Sequence, residues 1–123
     1  MQKSILLVDD IEFILEFEEK VIESLEAELK YPIRIDKATS VKEAERLLRE
    51  QNYDVAIVDM NLPDGSGKDI AKMIRENGMQ TRVAALTIYP ERFEEDRESF
   101  DAYFKKPILP TVYKENLRLM LQA

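Results

Sequence analysis

Three aspartates stand directly after short apolar runs in this 123-residue chain. Asp9 and Asp10 follow the run at residues 4–8, and Asp59 follows the run at residues 55–58. A carboxylate at the end of an interior-type run has lost water and needs a partner. If the three carboxylates meet, they repel one another, and at pH 7 one takes up a proton unless a cation joins them. Oxygen ligands without histidine or cysteine favour a hard ion such as Mg²⁺, which often shares its coordination with a phosphoryl group.

A hydroxyl and an ammonium group complete this candidate set. Thr87 follows the apolar residues 83–86, and Lys106 comes two residues after the short run at 102–104. The oxygens of a phosphoryl group require a hydroxyl donor and a lysine opposite the cation. The set therefore predicts that Asp59 is a nucleophile that accepts a phosphoryl group and forms an acyl phosphate.

Taken one at a time, these residues also have ordinary structural interpretations. Asp9 and Asp10 suit the cap of a following helix, where acids favour the helix dipole. Asp59 suits a turn that continues through residues 62–65, Thr87 suits a strand end and Lys106 suits a solvated surface. Their joint placement at the ends of several apolar runs favours the chemical interpretation over these separate ones.

Short apolar runs alternate with stretches of helical periodicity along the chain. Strands are predicted at residues 4–8, 33–38, 55–58, 83–86 and 102–104. Helices are predicted over 11–29, from a capping-box serine at Ser40 through Leu48, from a cap at Ser66 to Gly78, over 90–99 and over 109–121.

Five strands that alternate with five helices predict an α/β fold, a doubly wound five-stranded parallel sheet of flavodoxin-like type with helices on both faces. The second strand alternates apolar and charged residues, which suits a sheet edge and the strand order 2-1-3-4-5. The first and third strands are then neighbours at the point where the winding reverses, and their carboxyl ends meet in one crevice. The whole chain, residues 1–123, is expected to form a single domain.

Composition excludes several kinds of chemistry. The chain has no cysteine and no histidine, which excludes disulfides, a thiol nucleophile and a phosphohistidine on this chain. The net charge of −7 argues against direct binding of nucleic acid, which needs clustered lysine and arginine. No apolar run approaches the roughly 18–20 residues of a spanning helix, and the strand-like run from Ser4 leaves no room for a signal peptide. The cytoplasm is the expected location, with no membrane partner.

Four segments together resemble one known family. The pattern VDD near the N-terminus, VDMNLPDGSG at mid-chain, LT after the fourth strand and YFKKP near the end are similar to the response-regulator receiver domain of two-component phosphorelay signalling. The similarity covers nearly the whole chain, and it depends on five residues in order: Asp9, Asp10, Asp59, Thr87 and Lys106.

The resemblance implies a metal site at the first and third strands. By analogy with the family, Asp10 and Asp59 bind Mg²⁺ directly, the backbone carbonyl of Asn61 supplies a third ligand, and Asp9 acts through water. Asp59 is then the phosphoacceptor of a phosphoprotein.

The resemblance also implies roles near the C-terminus. Thr87 and Lys106 contact the phosphoryl oxygens, and Lys106 is chosen over its neighbouring lysine because the family's lysine precedes a proline, here Pro107, commonly through a cis peptide bond. Tyr103 matches the aromatic switch residue, which acts together with Thr87. In the family, the fourth helix, fifth strand and last helix form the face that contacts a downstream protein.

Two departures from the family pattern concern the lifetime of the phosphorylated form and the face that contacts a downstream protein. Ile88 follows Thr87 where the family usually has a small residue, so we expect restricted access to the acyl phosphate and slow loss of the phosphoryl group. Phe100 and Asp101 replace a small Gly-Ala pair, and residues 91–99 are weakly apolar, which predicts a shortened or loosely held fourth helix.

The favoured interpretation is a signalling domain that takes its phosphoryl group from the phosphohistidine of a sensor histidine kinase or phosphotransfer protein. It catalyses only its own phosphorylation and dephosphorylation and is not an enzyme for an external metabolite. An alternative is a receiver-like interaction scaffold that acts without phosphorylation. A remote alternative is a phosphatase of the haloacid dehalogenase type, but Asn61 stands where that family needs a second acid.

Overall fold

The computed structural model describes residues 2–88 and 99–122. Within these residues the chain forms five β-strands and four α-helices, which are joined by loops. The strands are β1 (Lys3–Val8), β2 (Ile33–Ala38), β3 (Val55–Asp59), β4 (Arg82–Thr87) and β5 (Ala102–Lys105). The helices are α1 (Glu12–Glu28), α2 (Val41–Glu50), α3 (Gly67–Glu76) and α4 (Pro110–Gln122).

The strands form one parallel sheet in the order β2-β1-β3-β4-β5. This confirms the predicted sheet, including β2 as an edge strand. The register pairs Val8 of β1 with Val58 of β3, so both strands end at the same level. On the other side, Asp59 pairs with Leu86, the residue before Thr87. The winding reverses between β1 and β3, and this is where ligands bind in sheets of this type.

Helices cover both faces of the sheet, as predicted. Helices α2 and α3 pack on one face, the α2–α3 side, and helices α1 and α4 pack on the other, the α1–α4 side. All five residues of β3 are buried because the strand is covered from both sides. Its side chains alternate, with Ala56 and Val58 on the α2–α3 side and Val55 and Ile57 on the α1–α4 side.

Helix ends follow the capping residues of the sequence. The hydroxyl of Ser40 accepts a hydrogen bond of 3.1 Å from the amide of Glu43, which is one half of the predicted capping box. Ser66 and Asp69 form a reciprocal box at the start of α3. Gly78 follows the end of α3 with a φ of 63°, a left-handed conformation that favours glycine.

Two predicted helices are not reproduced in full by the described residues. Helix α1 ends at Glu28, before the predicted end at residue 29. Pro32 disfavours helical geometry in the residue before it, so the chain leaves the helix early enough to enter β2. Of the helix predicted over 90–99, residues 90–98 lie outside the described residues. Within the described part of the chain, no helix combines the length and apolarity needed to cross a bilayer.

Candidate functional site

Three carboxylates converge at the carboxyl ends of β1 and β3. Asp9 and Asp59 are buried, whereas Asp10 is exposed at the mouth of the crevice. One carboxylate oxygen from each residue lies within 4.8 Å of the other two. This spacing, with oxygen donors only, fits a hard divalent cation such as Mg²⁺. The donor set thus agrees with the ion that the sequence implies.

Lys106 lies between two of these carboxylates. Its Nζ is 3.3 Å from Oδ1 of Asp59 and 3.4 Å from Oδ2 of Asp9, and its side chain is only 17% exposed. The backbone amide of Lys106 donates a hydrogen bond of 2.9 Å to the carbonyl of Thr87, which fixes the start of the loop after β5 against the end of β4. Parallel pairing of β4 with β5 thus carries the ammonium group to the aspartates.

The electrostatics of the pocket show a shortage of positive charge. Burial raises the pKa of Asp59, and the Asp9 carboxylate raises it further, while Lys106 and a hydrogen bond from the backbone amide of Asn61 oppose them. Burial lowers the pKa of Lys106, but the carboxylates of Asp59 and Asp9 outweigh it, so the pKa of this lysine is raised overall. One ammonium therefore serves two buried carboxylates, and an added cation is stabilised there.

The N-cap of α1 is Ile11, and no side chain caps the N-terminus of this helix, so Asp9 does not have the capping role that the sequence left open. Its Oδ1 accepts a hydrogen bond of 2.9 Å from the amide of Ile11, just before α1, while Oδ2 faces Lys106. The two oxygens of this buried carboxylate therefore have different partners, one in the turn before α1 and one in the cluster.

The loop after β3 brings its backbone close to the carboxylate of Asp59. The amide of Asn61 hydrogen-bonds to the side chain of Asp59. Leu62 and Gly65 exchange backbone hydrogen bonds of 3.0 and 3.3 Å, which closes the turn that Pro63 and Gly65 suggest in the sequence. Asn61 itself is exposed.

The remaining predicted residues lie on β4 and β5 or directly after these strands. Thr87 is buried at the end of β4, and Ile88, directly after it, is 56% exposed. Tyr103 is half-buried on β5, with its ring centroid 5.5 Å from that of Phe100. The Lys106–Pro107 peptide bond is cis.

Sequence reasoning missed Gly67, the first residue of α3. A Cβ atom at this position would lie 2.6 Å from the carbonyl oxygen of Asp59 and 2.7 Å from a methyl carbon of Val58. Only glycine lets the start of α3 approach the end of β3 this closely. The only sequence signal was the glycine itself, two residues after Gly65, within a segment already assigned to a turn.

Sequence reasoning also missed Glu18, a buried acid of α1. Glu18 is 1% exposed, and its carboxylate accepts a hydrogen bond of 2.8 Å from the Tyr113 hydroxyl of α4. Burial raises the pKa of Glu18 to about 8. Helical spacing gave a signal here, because Glu18 lies three residues after Leu15 and four before Ile22, both buried.

A large cleft of about 730 Å³ lies at the opposite end of the sheet, where β1 and β4 begin. Lys3, Tyr53 and Arg82 are among its lining residues. The aspartate cluster is thus identified by its chemistry and its position at the strand ends, and not by cavity size.

The sequence model of the response regulator receiver domain matches residues 5–118. The chain belongs to this family, whose members are the signalling domains of two-component response regulators. It is 32% identical over 113 residues, or 89% of its length, to the transcriptional regulatory protein SrrA of Staphylococcus aureus. It is 46% identical over 52 residues, or 42% of its length, to the response regulator PilR of Pseudomonas aeruginosa. The chain spans 44% of SrrA and 12% of PilR.

A solved structure supports the same assignment. The response regulator TrrA of Thermotoga maritima, crystallised in complex with Mg²⁺ and BeF, is 31% identical, with a TM-score of 0.79 over 97% of this chain and 99% of that one. Receiver domains act with histidine kinases, and one of the relatives is itself a sensor histidine kinase, AtsR of Burkholderia thailandensis.

Proposed function

We propose that the chain is a phosphoacceptor in which Asp59 takes a phosphoryl group from the phosphohistidine of a histidine kinase or a phosphotransfer protein. A carboxylate oxygen of Asp59 forms a bond to phosphorus, the bond between phosphorus and the histidine nitrogen breaks, and an acyl phosphate results. The observation that carries the proposal is the position of Lys106, which lies within 3.4 Å of both Asp9 and Asp59.

The residues have distinct roles in this proposal. Bound by Asp10, Asp59 and the carbonyl of Asn61, with Asp9 acting through water, Mg²⁺ would neutralise the charge that the phosphoryl group brings. Lys106 already points its ammonium at the acceptor, so it is placed to contact a phosphoryl oxygen without a long movement.

Two further residues would couple phosphorylation of Asp59 to a change at the protein surface. Thr87, buried beside Asp59 in the register of β4, would bind a second phosphoryl oxygen. Tyr103, on the neighbouring strand, would then change its position with Thr87 and alter the surface formed by β5 and α4, where a downstream protein would bind.

The chemistry is expected to be limited to the chain's own carboxylate. Asp59 accepts the phosphoryl group and later loses it to water, with no external metabolite as substrate. The proposal includes the cytoplasm as the compartment, since a chain without cysteine needs no oxidising environment.

The test is covalent labelling with a small phosphodonor and Mg²⁺. The parent is expected to gain one phosphoryl group, seen as a mass increase that hydroxylamine removes, and Asp59→Asn to gain none. Asp36→Asn, which removes a carboxylate from the edge strand β2, is the matched control and should label like the parent. A parent that remains unlabelled would favour a scaffold that acts without phosphorylation.

A further inference from the structure

The loop after β3 is fixed to a different layer of the fold by one carboxylate. Oδ1 of Asp64 accepts a hydrogen bond of 2.8 Å from the amide of Val41, and Oδ2 accepts one of 3.0 Å from the amide of Lys42. These are the first two residues of α2, where free amides and the helix dipole favour an anion. The two hydrogen bonds lower the pKa of Asp64, which keeps the carboxylate charged.

The same loop touches the acceptor carboxylate at its other end. Asn61, three residues before Asp64, hydrogen-bonds to Asp59 through its backbone amide. Between them, the mutual hydrogen bonds of Leu62 and Gly65 make this segment a closed turn, and Leu62 is buried. The turn therefore restricts how far Asn61 can move relative to Asp64.

We propose that Asp64 is a positioning residue, which tethers the loop to the start of α2 and thereby holds Asn61 in place beside Asp59. The tether preorganises two groups of one residue, the amide that hydrogen-bonds to Asp59 and the carbonyl proposed as a metal ligand. This inference rests on the proposed function in so far as it concerns Mg²⁺. Mg²⁺ demands near-ideal octahedral geometry, so a loosely held ligand weakens its binding.

The structure offers matched variants that separate the tether from its side effects. Asp64→Ala removes both hydrogen bonds and one negative charge. Asp64→Asn removes the charge but keeps an oxygen that can accept from one of the two amides. Ser40→Ala removes a different cap from the same helix, the hydroxyl that accepts from Glu43, and retains the two backbone amides that bind Asp64.

The experiment measures Mg²⁺ affinity by calorimetry and the hydrogen exchange of the Asn61 amide by NMR without metal. Asp64→Ala is expected to weaken Mg²⁺ binding by about tenfold, as other supporting contacts of metal ligands do, and to speed exchange at Asn61. Asp64→Asn should lose much less affinity than Asp64→Ala. Ser40→Ala should stay within about twofold of the parent, because its cap serves the helix alone.

Each other outcome of these measurements contradicts a specific part of the proposal. If Asp64→Asn loses as much affinity as Asp64→Ala, the effect is one of charge and the tether is wrong. If Ser40→Ala loses as much, affinity follows the integrity of α2. If Asp64→Ala matches the parent in both measurements, the inference fails and the proposed function stands. A parent that binds no Mg²⁺ overturns the metal role in both.

Discussion

The hydroxyl of Tyr113 and the carboxylate of Glu18 form a hydrogen bond of 2.8 Å between α4 and α1, on one buried side of the sheet. Tyr113 also packs edge-on against Phe104 of β5, with ring centroids 5.2 Å apart. Burial, aided by the charges of Asp9 and Asp59, raises the pKa of Glu18 to about 8, although Tyr113 and Lys106 oppose this. A titratable pair therefore lies in the hydrophobic layer between two helices.

Stability should fall as the pH rises toward 8. In the unfolded chain Glu18 loses its proton near pH 4.5, whereas in the folded chain it keeps the proton to about pH 8. Between these values the folded state binds more protons, so the free energy of unfolding decreases with pH. This group alone should contribute a loss on the order of 4–5 kcal/mol between pH 4.5 and pH 8. Urea unfolding at a series of pH values measures it.

Glu18→Gln tests whether this one residue is responsible. Glutamine keeps the shape and a hydrogen-bonding group but does not titrate, so the stability of the variant should decline much less from pH 5 to pH 8. Tyr113→Phe is the companion variant. It removes the hydroxyl partner and should lower stability by about 1–3 kcal/mol at every pH tested, because it leaves a buried carboxyl group without its hydrogen bond. Equal slopes for parent and Glu18→Gln would contradict the assignment.

Asp59→Asn should make the metal-free protein more stable at pH 7. The raised pKa of Asp59 means that its charge is unfavourable in the folded pocket, and Lys106 keeps Asp9 as a partner after the substitution. With Mg²⁺ bound, the parent should become more stable than Asp59→Asn. At 100 times its dissociation constant, Mg²⁺ should stabilise the parent by about 2.7 kcal/mol, and the variant, which lacks a proposed ligand, should gain less. Thermal unfolding with and without Mg²⁺ gives both comparisons.

Gly67→Ala should displace the end of β3, the strand that carries Asp59. The new methyl group meets the carbonyl oxygen of Asp59 and a side-chain carbon of Val58, so backbone must shift, at a cost of about 1–3 kcal/mol. Gly78→Ala is the control, because its Cβ meets no atom within 4 Å but its φ of 63° costs about 1–2 kcal/mol. Phosphoryl labelling of Asp59 should slow in Gly67→Ala only. Similar slowing in both variants would mean that lost stability alone explains it.

Ile88→Ala should shorten the life of the phosphorylated form. Ile88 is exposed directly after Thr87, and a smaller side chain there should admit water more readily. We expect loss of the phosphoryl group to be about threefold faster, equivalent to about 0.7 kcal/mol of activation free energy. Leu119→Ala, which shortens an exposed apolar side chain of α4, is the control. An unchanged lifetime in Ile88→Ala would remove the idea that this residue shields the site.

The sequence was sufficient to predict the fold. Strand and helix periodicity predicted the order of the elements, and β2 was assigned to an edge because its residues alternate between apolar and charged. Parallel topology then determined that Asp9, Asp59 and Lys106 would meet, since all three follow strands that end at one side of the sheet.

Contacts between side chains and distant backbone were not predictable in this way. Asp64 was assigned to a turn, but its partners are amides of α2, more than 20 residues earlier in the chain. The contact of Gly67 with Asp59 depends on how closely a helix approaches a strand, which has no periodic signal. The partner of Glu18 lies 95 residues away, so helical spacing alone indicates its burial and not what satisfies it.

The alternation of β3 places an unusual restriction on how this chain can tolerate insertions and deletions. Side chains along a strand change face at every residue, so one added residue before position 59 would turn the acceptor carboxylate from the α1–α4 side to the α2–α3 side. Apolar residues would still fill both layers, because β3 is apolar on both faces. Such a lengthened protein would retain its hydrophobic layers, but a phosphodonor would not phosphorylate it.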